Sequence, residues 1–173
     1  MAAHVIVLAN RTAAAPELID ALVHRAERGP VVATLVMPAG GPGTAERAVA
    51  QERLEGALME WRNAGVTECD GMVCDPHPLE ALSEVWDPMR YDEVIVSTLP
   101  GQSSKWIRSD LPHAVARYTG VSVLHVVAPD PETHVETSPA PEHERAPLGP
   151  LSVVRLCVWH TLLGQCRIAT FQL

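Results

Sequence analysis

Aromatic residues make up only 4% of the chain, with one phenylalanine, Phe171, and lysine occurs once, at position 105. Basic residues are thus almost all arginine, and the one lysine is easy to follow. Basic residues are also in deficit, 13 Lys and Arg against 21 Asp and Glu, for a formal net charge of −8. Without a basic excess there are few counterions to release from a phosphate backbone, so bulk binding of nucleic acid is excluded. Four cysteines, at 69, 74, 157 and 166, are too few and too unevenly spread for a disulfide scaffold. The opening MAAHVIVLAN is too short and uncharged for a secretory signal. No run approaches the roughly 18 to 20 apolar residues that span a bilayer. The expectation is a cytoplasmic protein with reduced thiols and no membrane segment.

What is present, within 173 residues of which 47% are hydrophobic, is enough for one domain with an appendage. Composition changes near residue 128. Residues 129–150 are proline-rich without an apolar period and read as a linker. Residues 151–173 are apolar again but carry no clear cap or turn pattern, which leaves a hairpin about Leu163 and Gly164 or an unfolded tail. The globular unit is 1–128.

That unit alternates. HVIVLAN (4–10), VVATLVMP (31–38), VTECDGMVC (66–74), DEVIVSTL (92–99) and VSVLHVVA (121–128) are short runs rich in β-branched residues. Four are apolar nearly throughout, as strands covered on both faces must be, so a parallel sheet is favoured. The third is more polar and suits an edge. Between them lie helical stretches. The first opens at Pro16 and stops at Gly29, with Leu18, Ile19, Leu22, Val23 and Ala26 as its stripe. The second runs from a Thr44 cap to Gly65, with Ala50, Leu54, Ala57, Leu58 and Trp61 along one side. The third presents Leu79, Leu82, Val85 and Trp86, and the fourth spans Asp110 to Gly120.

Five parallel strands joined by right-handed helical crossovers predict an α/β, doubly wound, Rossmann-like sheet of order 3-2-1-4-5. Strands one and four are then neighbours, and the chain leaves them in opposite directions. A crevice opens between their exit loops, Ala9-Asn10-Arg11-Thr12 and Ser97 to Asp110, and a ligand belongs there.

Three blocks of the sequence resemble the universal stress protein A family: VIVLANRTAAAPELIDALVHRA, CDPHPLEAL and DEVIVSTLPGQSSKWIRSDLPHAVARYTGVSVLHV. The likeness covers about 1–128. Members that bind ATP carry an aspartate after strand one and a pattern G-x2-G-x9-G-(S/T) after strand four, whose glycines and amides cradle phosphates. Here Asn10 is the nearest match to the aspartate, only Gly101 of the glycines survives, and the final Gly-Ser falls on Ser109-Asp110. Asp110 is expected to cap the following helix and to oppose a phosphate there; two unit charges at 4 Å repel by about 4 kcal/mol at an effective dielectric of 20. Against this stand hydroxyls and cations in the same loops. The candidate binding set is Asn10, Arg11, Thr98, Gly101, Ser103, Ser104, Lys105, Arg108 and Ser109, with ATP or another adenine nucleotide as the ligand that the resemblance implies.

Other constellations are weaker. Cys69, Cys74 and His77 hint at a metal, but five residues along a strand put the two thiols on opposite faces, and no metal site is assigned. Ser97 or Ser103 with His113 or His77 lacks a nucleophile elbow, so no catalytic residue is assigned. Asp92 and Glu93 read as solvated, at the end of strand four remote from the crevice. The leading expectation is a non-enzymatic domain of the stress protein type that senses an adenine nucleotide or small anion. The resemblance implies a homodimer paired through strand five, an apolar edge. The alternatives are a nucleotide-dependent phosphate hydrolase or transferase, needing Asp75 or Asp110 to hold a metal, and a dimerisation module without a ligand.

Overall fold

Strong β-branched runs separated by helical stretches give nine alternating elements among the described residues. In the computed structural model they are β1 (Ala3–Leu8), α1 (Pro16–Glu27), β2 (Val31–Pro38), α2 (Thr44–Asn63), β3 (Cys69–Cys74), α3 (Pro78–Val85), β4 (Glu93–Thr98), α4 (Leu111–Thr119) and β5 (Val123–Val127). The structure describes residues 2–101, 104, 106 and 109–130. The chain divides after Thr137, and everything described belongs to the first unit. Ser103, Lys105 and Arg108 lie outside the described residues, as do the linker beyond Asp130 and the tail 151–173.

The five strands form one sheet of order β3-β2-β1-β4-β5, every pair parallel, as the sequence predicts. Alternation along each strand sends side chains to two separate cores. On one face Val5, Val7, Leu35, Met37 and Ile95 pack with Leu18 and Leu22 of α1 and with Leu54 and Trp61 of α2. On the other, Ile6, Leu8, Val36, Val94 and Val96 pack with Ala81 and Leu82 of α3 and with Leu111 and Val115 of α4. The chain therefore crosses one face after β1 and the opposite face after β4. Since Leu8 pairs with Val96 at the carboxyl ends of these neighbours, their exits border one crevice.

The helices follow their predicted stripes with local exceptions. Ala50, Leu54, Ala57, Leu58 and Trp61 are all buried in α2. Its cap, however, is Gly43 rather than Thr44, which is already helical. The Glu46 side chain folds back over Gly43, filling the space a Cβ there would need. In α3 the buried residues are Ala81 and Leu82, whereas Leu79 is 38% exposed. A helix of eight residues meets the sheet with little more than one turn, and Leu79 falls outside it. Glu93 is not simply solvated: Arg25 of α1 sets Nε 2.9 Å from each of its carboxylate oxygens. Asp92 accepts the amide of His4 at 2.9 Å. These contacts fasten the amino ends of the strands, opposite the crevice.

Candidate functional site

The β1 exit is a tight loop, because successive backbone bonds close it. The Ala13 amide donates to the Asn10 carbonyl at 3.0 Å and the Ala15 amide to the Thr12 carbonyl at 3.1 Å. Trp61, fully buried on α2, donates its indole N–H to the Ala13 carbonyl at 2.8 Å and so fastens the loop from below. The loop's polar side chains are then held in place. Asn10 donates Nδ2 to the Pro38 carbonyl at 2.7 Å and accepts from Arg53 Nη1 at 2.9 Å. With both ends of its carboxamide engaged, Asn10 joins the ends of β1 and β2 and ties an α2 guanidinium to the β1 exit.

Arg11 stands next to it and forms an ion pair with Asp130. The arginine side chain is 54% exposed and the aspartate only 6%. Asp130 reaches this place because the chain beyond β5 continues along the sheet: Ala128 is fully buried, and its amide donates to the Thr98 carbonyl at 2.9 Å.

At the β4 exit, Thr98 Oγ1 lies 2.8 Å from His125 Nε2 on β5. The Ser97 hydroxyl is buried and has no hydrogen-bond partner among the described residues. Gly101 adopts φ +55, a left-handed turn that favours glycine. Its carbonyl accepts the amide of Ser104, itself buried, at 3.4 Å. Ser109 is exposed and donates its hydroxyl to the Trp106 carbonyl at 3.1 Å. Asp110 departs from the expected cap. Its backbone is left-handed, φ +53, and its carboxylate makes no bond to the helix amides but meets His113 Nδ1 at 2.6 Å. Capping needs an extended residue, and Pro112 in the first turn of α4 has no N–H to offer. The carboxylate consequently turns to the imidazole.

No family model matches the chain, and no curated protein sequence does. Two solved structures of universal stress protein from Archaeoglobus fulgidus are similar to it. One, in complex with dAMP, has a TM-score of 0.54 at 14% identity. The other has 0.55 at 15%, and each comparison covers 73% of this chain and 98% of the solved one. The chain has the universal stress protein fold.

Within this stress protein fold the remaining constellations fall outside the crevice. Cys69 packs on the α1 and α2 face and Cys74 on the α3 and α4 face, so they cannot share an ion. Burial, with Glu84 adding to it, pushes the Cys74 thiol up to about 11, which keeps it protonated and inert at neutral pH. Asp75, His77 and Glu80 gather ligand atoms within 4.8 Å of one another. The group closes the turn into α3: Asp75 Oδ1 accepts the His77 amide at 2.8 Å, which is the main reason its pKa is lowered. It sits past β3, with β2 and β1 between it and β4. Two shallow cavities open at the surface, one of them reaching the end of the β4 exit loop at Asp110. One, of about 430 Å³, borders Asp110, His113, Ala116 and Arg117 on α4. The other, of about 550 Å³, lies at the amino ends of β4 and β5 beside Arg25 and Ser122.

Of the candidate residues, the β1 exit supplies Asn10 and Arg11, and the β4 exit supplies Thr98, Gly101, Ser104 and Ser109. Two residues that sequence reasoning missed, Arg53 and Asp130, are bonded to the first pair. Arg53 had a weak signal in the sequence, since it adjoins Leu54 on the border of the α2 stripe. Asp130 had none, lying among prolines.

Proposed function

We propose that this domain binds an adenine nucleotide or a smaller anion, without turnover, in the crevice between β1 and β4. The observation that carries this reading is the β1 exit itself: Arg53 is bonded to the Asn10 side chain and Arg11 follows Asn10, at the point where a doubly wound sheet receives its ligands. The fold similarity supports it, because one of the similar stress protein structures is a complex with dAMP. Gly101 in its left-handed turn allows a ligand to approach the backbone. Binding is favoured over catalysis because, of the two carboxylates named as metal holders, Asp75 follows β3, with β2 and β1 between it and β4, and Asp110 meets His113 at 2.6 Å. The same reading includes a homodimer through β5, an edge strand on which Leu124 and Val127 are 48% and 47% exposed.

Calorimetric titration of the full chain, freed of copurified ligand, with AMP, ADP and ATP tests the reading when run beside a phosphate-release assay. One saturable site without phosphate release is expected. Turnover would move the protein to the hydrolase alternative, and absence of binding would leave a module without a ligand.

A further inference from the structure

Resting on the nucleotide or anion reading above, we propose that Asp130 is a specificity-determining residue of the crevice. Its carboxylate holds the anion position beside Arg11, so the site takes a ligand of low charge, a nucleoside monophosphate in preference to a triphosphate.

The placement follows from the sheet. β5 is separated from β1 by β4, so the two strands stand about 9 to 10 Å apart at the usual spacing. For Asp130, three residues beyond β5, to meet Arg11, three residues beyond β1, the chain must turn inward over the carboxyl end of β4. The Ala128 amide on the Thr98 carbonyl and the complete burial of Ala128 show the start of that turn. An aspartate that is 94% removed from solvent is costly unless paired, and here Arg11 is one of its partners. A phosphate arriving in the crevice meets Arg11 already engaged and a fixed negative charge beside it. Repulsion from that charge grows with each negative charge on the ligand, whereas the sugar and base are indifferent to it. Arg53 reaches the same exit loop through the Asn10 side chain, at 2.9 Å.

Wild-type full chain and Asp130→Asn, nearly the same shape without the charge, are titrated with AMP and with ATP at one ionic strength. The wild type is expected to bind AMP about tenfold or more tighter than ATP, and Asp130→Asn to raise ATP affinity about tenfold while changing AMP less. Equal affinities in the wild type, or an unchanged AMP-to-ATP ratio in the variant, overturn the proposal and leave the parent reading standing. Failure of both nucleotides to bind either protein overturns both. A thermal melt confirms that the variant folds; should it not, the wild-type ratio alone decides.

Discussion

His125 on β5 shares a hydrogen bond with Thr98, and burial, aided by electrostatic repulsion from nearby His113, holds its pKa below the ordinary histidine value. The folded chain therefore prefers the neutral ring, while the unfolded chain takes a proton at about pH 6.5. A depressed folded pKa gives stability that is fully present above the unfolded value and is lost as pH falls through the folded one. Urea midpoints should accordingly drop between pH 7.5 and 5.5, and His125→Gln should show a smaller drop than the wild type. An identical drop in both would remove His125 from that dependence. At this scale the sequence was least legible. Asn10 and Arg11 could be placed in the crevice from the strand order, but their partners could not. Arg53 is 43 residues from Asn10, and the bond depends on how α2 lies across the sheet. Asp110 looked like a cap because aspartate before a helix usually is one. A left-handed backbone and a proline in the first turn redirected it.

Among the elements, α2 contributes most to the site. Its stripe was readable because five apolar residues recur at helical spacing, and Trp61 at the end of that stripe is both core and anchor. Replacing Trp61 with Phe keeps most of the apolar volume but leaves the Ala13 carbonyl without its donor, a loss of about 1 to 3 kcal/mol for a buried group. Chemical denaturation should show that loss, and any nucleotide affinity should fall with it because the β1 exit loosens. Undiminished stability would mean that the indole bond contributes nothing. Strand positions were legible for a similar reason, since continuous apolar runs mark strands buried on both faces. Helix ends and the inner face of α3 were less so. They depend on which turn of a short helix touches the sheet, a tertiary fact that periodicity does not encode.

For the molecule as a whole, the strand order was the most legible feature, because right-handed crossovers and a polar third strand leave few arrangements. The exposed side of the β5 edge was not readable. Val123 and Val126 pack into opposite cores, while Leu124 and Val127 are about half exposed. If β5 pairs with a second copy, Leu124→Lys should halve the mass seen by light scattering while leaving the melting temperature close to that of wild type. A wild type that already runs as a monomer would refute the dimer.

The central claim is that ligand enters where β1 and β4 end. Backbone amide NMR of the full chain during an AMP titration tests it most directly. The account predicts saturable shifts at Ala9–Thr12, Ser97–Gly101 and Ala128–Asp130, with the amino ends of the strands around Arg25 and Ser122 unchanged. Shifts confined to those amino ends or to the α4 surface, or none at all, would contradict it.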